Sequence, residues 1–260
     1  MSIKQIFSPN KSINKATFLM LCVSWFVAVV VCWHLNAGEV LPKPFDVFKA
    51  FATLLSDSDF IHEMIVSTTL AFESVVVTFL LSMFISYLNV VPVFRPLGEF
   101  FTKMRFLSLV GLQFIFMLIT SGGHSLKVSL LVFSMSVFFV TSMLEELKVP
   151  RNEMNHARTL GMSEWRIVWE VKFLGRLDRA YEILRQNFAM AWMMLTMVEV
   201  VSRSEGGIGI LLTNSNKHFA LDTVFAIQLA ILISGIVIDY LFGVSRNFFF
   251  PYAALAQDMR

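Results

Sequence analysis

The residues best suited to chemistry are concentrated between positions 145 and 185. This stretch holds 15 of the 40 charged residues in a chain of 260 residues. Their chemistry is charge pairing and hydrogen bonding, because the sequence has no nucleophile motif, no paired carboxylates and no glycine-rich phosphate loop followed by Lys and Ser or Thr. His124, His156 and His218 are isolated and lack the spacing of metal ligands. The sequence therefore predicts neither an enzyme nor a metal site.

The spacing of proline, glycine and serine predicts that this stretch folds as two helices joined by a tight turn. Pro150 suits a first helical position, because it has no N–H to leave unpaired and its φ is already helical. Gly161 can end the first helix, since glycine most easily takes the left-handed conformation that follows a helix. Ser163 can cap the second helix, and Gly175 would end it. The expected apolar side of this second helix consists of Trp165, Val168, Trp169 and Val171.

The composition around this stretch is that of a membrane protein. Hydrophobic residues make up 56% of the chain, the mean hydropathy is +0.68, and only 15% of the residues are charged, against about 25% in a soluble domain. The net charge of +2 gives no indication of a nucleic-acid partner. Cys22 and Cys32 would lie about 15 Å apart along one helix, too far for a disulfide. We expect a polytopic protein of the lipid bilayer.

Six apolar runs predict an all-α fold with six transmembrane helices. They cover approximately residues 16–35, 65–91, 106–120, 126–144, 186–201 and 223–244. The third could begin as early as Phe100, a short helix is expected from Phe45 to Leu55, and residues 202–222 are expected to form a polar loop. A signal peptide is the competing interpretation of the first run, but its core usually has only 7–15 residues. The predicted organisation is a terminal segment, 1–15, a transmembrane domain, 16–244, and a tail, 245–260.

The second apolar run carries small polar residues at a strict spacing of four. Ser74, Thr78, Ser82 and Ser86 therefore share one helical face. Such a ridge lets two helix backbones approach closely inside a membrane. We favour this packing role over a hydroxyl-lined translocation path, to which Ser74 and Thr78 would belong. Glu73 should face protein or water rather than lipid.

The distribution of Lys and Arg predicts the orientation in the membrane. Six spans place both termini on one side, and that side, which includes residues 145–185, carries 16 Lys and Arg against 5 on the other side. Because cytoplasmic loops carry the excess of Lys and Arg, we expect both termini and the charged stretch to be cytoplasmic.

The charged stretch resembles a known cytoplasmic loop. In permease subunits of bacterial ABC importers of the nitrate/sulfonate/taurine family, this loop reads Glu-Ala-Ala, three residues, Gly, then nine residues to Ile-x-Leu-Pro. Residues 155–174, NHARTLGMSEWRIVWEVKFL, occupy the same place. The positions that match the family pattern are Ala157, Arg158, Leu160, Gly161, Ser163, Trp165 and Val171.

Weaker similarities to the same family follow in the expected order along the chain. They are Leu41-Pro42-Lys43-Pro44, Val149-Pro150, Val198-Glu199 and Gly206-Gly207-Ile208-Gly209. The chain departs from the signature where Asn155 and His156 replace its Glu and first Ala, and where Leu174 replaces its Pro.

The resemblance implies the permease fold of a type I ABC importer in the cell inner membrane. Each subunit of a homodimer would present its loop to a separate ATPase subunit, which binds the ATP, so this chain needs no cofactor. An extracytoplasmic binding protein would deliver a small solute such as nitrate, a sulfonate or taurine. The alternatives are a self-sufficient secondary transporter, although no internal repeat is visible, and a permease of the same family for another solute, such as a pyrimidine precursor of thiamine.

The resemblance also suggests roles for single residues. Gly161 would form the turn of the coupling loop. Trp165 and Trp169 could pack in a groove of the ATPase or anchor the loop at the membrane interface. Arg158 and Arg166 could pair with acids of the ATPase or remain solvated.

Glu199 falls where the family has a Glu. It could line the substrate path or pair locally with Arg203, and we favour the local role.

Overall fold

The structure, a computed structural model, describes residues 14–38, 41–202 and 205–251. Over these ranges the chain is helical and contains no β-strand. The α-helices are α1 (Lys15–Asn36), α2 (Pro44–Leu55), α3 (Ser58–Leu88), α4 (Arg95–Met104), α5 (Leu109–Ile119), α6 (Gly123–Glu146), α7 (Arg151–Thr159), α8 (Glu164–Ile167), α9 (Leu177–Val201), α10 (Ile208–Lys217) and α11 (Leu221–Phe249). A π-helix (Val168–Phe173) and a 3₁₀ turn (Leu174–Arg176) join α8 to α9. The all-α prediction is confirmed. The greater part of the predicted terminal segments, residues 1–13 and 252–260, lies outside the described residues.

Four of the described helices are long and apolar enough to cross a membrane, namely α1 from Ala16 onward, α3, α6 and α11. A fifth span results if α5 is counted together with the helical segment before it, which is bent from it by 119°. The prediction of several membrane-crossing helices is therefore confirmed, but the number six is not. The predicted fifth span forms only the C-terminal part of α9, whose first turns carry charged side chains.

Two connections in the sequence prediction are helical in the structure. The expected link around Arg95 is α4, which begins after a 3₁₀ turn at Pro92 and has a second proline, Pro96, in its own first turn. Proline favours both positions because it has no N–H to leave unpaired. The third predicted helix therefore begins at Leu109 and does not extend back to Phe100. The expected polar loop 202–222 contains α10.

The centre of the fold is the packing of α3 on α6. The small polar ridge of α3 is fully buried there, as predicted for close helix packing. The Thr78 hydroxyl donates to the Ser74 carbonyl at 2.7 Å and lies 3.9 Å from the Met135 sulfur. The surrounding core consists of apolar side chains from α3, α6 and α9, among them Leu131, Met135 and Leu195.

Helix α1 packs against little of the chain that the structure describes. None of its apolar window is buried, and Cys22 and Cys32 are both exposed and unbridged. Its contacts are at its end, where the Trp33 indole N–H donates to the Pro42 carbonyl at 3.1 Å and the ring lies 5.9 Å from that of Phe225. Such an apolar helix suits contact with lipid or another protein.

Candidate functional site

The first candidate region is the charged helix pair, defined here as α7, the following turn and α8. Gly161 has φ +77°, which confirms the predicted left-handed turn. The turn is closed by backbone hydrogen bonds, as the Gly161 N–H donates to the Arg158 carbonyl at 2.9 Å and the Met162 N–H to the Ala157 carbonyl at 3.2 Å. A Cβ at Gly161 would meet no atom within 4 Å. Glycine is therefore required here for its backbone conformation and not for space.

An ion pair joins the two helices of the charged pair. The Arg158 guanidinium donates to both carboxylate oxygens of Glu164, at 2.7 and 3.2 Å, and to the Asn155 side-chain oxygen at 3.2 Å. The hydrogen bond from Arg158 holds the pKa of the Glu164 carboxyl below its usual value, and the same bond raises the pKa of Arg158. Both arginines considered from the sequence have partners within the chain, because Arg166 donates to Glu170 at 2.7 Å.

The second helix of the pair is shorter than predicted. Ser163 caps it, since its hydroxyl accepts from the Arg166 N–H at 3.4 Å, but α-helical bonding ends at Ile167. The chain then widens into the π-helix, and π-helical turns occur often at functional sites. The predicted apolar side is wrong. Ile167 is the buried residue of α8, and Trp165 has 73% of its surface exposed.

The two tryptophans have different environments, although the sequence spacing places them on one face. Trp169 stacks on Phe173 with ring centroids 4.6 Å apart, and Phe173 packs on Tyr87 at the end of α3 with centroids 4.4 Å apart. Phe173 therefore anchors the π-helix on α3, and Trp169 packs on Phe173 while 57% of its surface stays exposed. Trp165 and Leu160, in contrast, leave an apolar tip exposed next to the Gly161 turn, while Ala157 faces inward and is buried.

The second candidate region lies at the opposite end of α9, where Glu199 is fully buried. One carboxylate oxygen accepts from the Ser67 hydroxyl, and the other accepts from the Gly209 N–H at 2.7 Å. The Ser67 oxygen accepts from the Ile208 N–H at 2.9 Å, and Glu63 accepts from the Gly207 N–H. We call these three side chains, together with the N–H groups of residues 207–209, the carboxylate clamp.

The clamp supplies hydrogen-bond acceptors to the backbone N–H groups at the start of α10. The first N–H groups of a helix have no partner within the helix, and the positive end of the helix dipole favours negative charge. Glu63 and Ser67 from α3 and Glu199 from α9 supply the missing acceptors. Lys127 of α6 completes the arrangement, because it is 1% exposed and its ammonium donates to the Gly206 carbonyl at 2.8 Å. The same ammonium interacts electrostatically with Glu199 and Glu63.

Glycines permit this close approach. Gly206 and Gly207 have φ +72° and +121°, and a Cβ on either would overlap a clamp carboxylate. A Cβ on Gly209 would overlap the backbone of Thr196 in α9. The sequence stretch 206–209 was singled out by resemblance alone, and its physical role here is to bring backbone donors against acidic side chains.

The predicted translocation residues are all buried in this conformation. Ser74, Thr78 and Glu199 have no exposed surface, so none of them faces an open passage. Glu199 bonds to Ser67 and Gly209, whereas its pairing with Arg203, which lies outside the described residues, stays a prediction. Sequence reasoning missed Glu63, Ser67 and Lys127. The only available signal was that Lys127 is a lone charge at the start of an apolar run.

Neither a family model nor a curated protein matches this sequence. Solved structures do match the fold. One of them is a crystal structure of a bacterial ABC transporter involved in the import of the acidic polysaccharide alginate, which superposes with a TM-score of 0.60 over 89% of this chain and 94% of that chain, at 12% identity. This chain shares the fold of an ABC transporter chain. Membership of the nitrate/sulfonate/taurine family stays a prediction from the sequence.

Proposed function

We propose that this chain is the membrane-spanning permease subunit of an ATP-binding cassette importer. The observation that carries the proposal is the charged helix pair, which presents an exposed apolar tip and continues through the π-helix and a 3₁₀ turn into α9. The similarity to a chain of an alginate-importing ABC transporter supports the same kind of protein. A partner ATPase would bind and hydrolyse ATP. Leu160 and Trp165 of this chain would occupy a docking groove on that ATPase.

The contacts of α9 suit the transmission of movement. At one end the Arg158–Glu164 ion pair braces the charged pair, and Phe173 anchors the following π-helix on Tyr87 of α3. At the other end the clamp ties Glu199 to α3 and to the start of α10. Closure of an ATPase would push on the tip and shift α9 with its attached helices. A ligand-driven shift of this kind requires contacts that differ between two states, and the exposed tip can supply them.

The finer features of the proposal rest on the sequence. They are six spans in the cell inner membrane, cytoplasmic termini, two copies of this chain around the path, and an extracytoplasmic binding protein. The transported solute is proposed to be small, with nitrate, sulfonates and taurine as the first candidates to be assayed.

Site-specific cross-linking tests the proposed docking contact. In a background with Cys22→Ser and Cys32→Ser, the variant Trp165→Cys in native membranes should cross-link to an ATPase subunit. The matched control is Phe219→Cys, which is also strongly exposed, at 83%, but follows α10, whose start packs at the opposite end of α9. It should give no ATPase adduct.

Reconstitution separates the importer from a self-sufficient transporter. Vesicles containing this chain with the co-purifying ATPase, supplied with the binding protein, should accumulate solute only when ATP is present. Uptake by the chain alone without ATP, or an equal ATPase cross-link from both cysteine positions, would contradict the proposal.

A further inference from the structure

A polar cavity lies between the end of α3, α4, the end of α6 and the π-helix. Its volume is about 490 Å³, and its charged and polar lining includes Ser86, Arg95 and Lys172. The cavity lies beside the charged pair and does not include the exposed tip. The size is sufficient for a small ionic group with some of its hydration water.

Two polar side chains in the lining, Ser86 and Asn89, each have a buried atom without a hydrogen-bond partner. Ser86 is fully buried, and its hydroxyl makes no hydrogen bond. A buried hydroxyl without a partner is costly, and such groups are usually satisfied by water, an ion or a ligand. Ser86 can therefore donate a hydrogen bond into the cavity. Asn89, one turn further along the chain, adds a second polar side chain to the same wall.

The charges of the cavity favour an anion. Arg95 and Lys172 form no ion pair with any carboxylate among the described residues, although Arg158, Arg166 and Lys148 nearby all do. Burial, and then the neighbouring Arg95 guanidinium, lower the pKa of Lys172, and Glu164 opposes this only in part. Arg95 and Lys172 thus repel each other electrostatically, and both line the cavity.

The acidic residues of the lining do not cancel this excess. Glu145 is already paired with Lys148, with 2.7 Å between the ammonium and the carboxylate. Glu99 is the remaining carboxylate, and it forms no ion pair with Arg95 although it lies one turn away on α4. One free carboxylate against two free cations leaves a net positive cavity.

We propose that this cavity is a binding site for a phosphate group, either free phosphate or the headgroup of an anionic lipid. The Arg95 guanidinium can bind two phosphate oxygens at once, Lys172 adds a point charge, and the Ser86 hydroxyl donates a third contact. The bound group joins α4 to the π-helix. A second cavity of about 330 Å³ shares Lys172 and extends to Trp165 and Glu164, so the anion steadies the base of the charged pair.

Two binding measurements on the full-length chain in detergent identify the source of the phosphate. Inorganic phosphate is titrated against the unfolding temperature, with sodium chloride at equal ionic strength as reference. Native mass spectrometry then compares adducts with phosphatidylglycerol and with phosphatidylcholine. Stabilisation by phosphate identifies a free anion, and retention of phosphatidylglycerol over phosphatidylcholine identifies a lipid headgroup. Either result supports the site.

Variants locate the binding. Arg95→Gln and Lys172→Gln should each weaken it about tenfold, since each removes a charged hydrogen bond. Lys103→Gln is the matched control, because it removes an equal charge from α4 outside the cavity. Ser86→Ala should weaken binding, whereas Ser82→Ala, whose hydroxyl is equally buried and unpartnered, should not. Their unliganded unfolding temperatures show that the variants are folded.

Three results overturn the proposal. They are the absence of both phosphate stabilisation and lipid selectivity, binding unaffected by Arg95→Gln and Lys172→Gln, and an equal loss in Lys103→Gln. None of these measurements depends on transport, so a negative result here would not contradict the proposed importer function.

Discussion

The charged helix pair and the carboxylate clamp lie at opposite ends of α9 and are built in opposite ways. The ion pair of the first joins residues six positions apart, with side chains 49% and 69% exposed. The hydrogen bonds of the clamp join Ser67 to Glu199 and Glu63 to Gly207, which are 132 and 144 positions apart and largely withdrawn from solvent. Local bonding therefore shapes the surface that would meet a partner, and long-range bonding holds the helices that would move.

Because of this difference, we expect substitutions in the two regions to change the free energy of unfolding by very different amounts. An exposed ion pair is screened by water and contributes little. Removing an acceptor from a buried donor carries the full desolvation cost of that donor. Substitutions in the clamp should therefore affect folding, and substitutions in the charged pair should affect interactions with partners.

The largest effect is expected from Gly209→Ala. The added methyl group would overlap the Thr196 backbone, which cannot yield without displacing α9, so we expect a loss of about 3 kcal/mol in the free energy of unfolding. Thermal unfolding in detergent measures it. Gly111→Ala is the control, because a Cβ there meets nothing within 4 Å. Equal unfolding temperatures for the two variants would contradict the expectation that close packing at Gly209 makes this position sensitive.

A smaller loss is expected from Glu199→Ala. This change leaves the Ser67 hydroxyl and the Gly209 N–H without their acceptor in a buried position, at a cost of about 1–3 kcal/mol. Glu73→Ala removes a carboxylate from an exposed pair with His124 and should have less effect on the unfolding temperature. A larger loss in Glu73→Ala would show that burial does not determine the sensitivity.

Gly161→Val tests the one strained position of the charged pair. A β-branched residue is disfavoured at φ +77°, but the side chain has open space, so we expect a loss of only about 1 kcal/mol. Gly161→Asn tolerates this conformation better and should retain more stability in the same unfolding assay. If Asn and Val are equally destabilising, the backbone conformation is not the cause.

The smallest effect is expected at the Arg158–Glu164 pair, and it depends on pH. The folded-state pKa of Glu164 is lowered, so the pair stabilises the fold at neutral pH and loses this contribution as the pH falls through that lowered value. The difference in unfolding temperature between the native chain and Arg158→Gln should therefore be small at pH 7 and vanish in acid. A difference that persists unchanged at pH 3 would contradict this assignment.

Much of the first region could be predicted because its signals are local. Gly161 and Ser163 act through their own backbone or capping chemistry and lie as predicted, whereas Pro150 is the N-cap of α7, one residue before the predicted first helical position. The apolar face of the second helix was mispredicted already within α8, where Ile167 is buried and Trp165 is exposed, because the side of this single turn that packs inward depends on the rest of the fold. Helix α10 was missed because its start depends on acceptors from distant helices.

The sequence alone was sufficient for the helical class, the apolar segments, the buried ridge of α3 and the turn at Gly161. These features follow from periodicity and backbone preference, which act over a few residues. The clamp around Glu199, the separate environments of Trp165 and Trp169 and the unpaired cations beside Ser86 required the folded chain. Each depends on which side chains meet across helices, and a buried polar group is stabilised or left unsatisfied only by neighbours that tertiary packing brings to it.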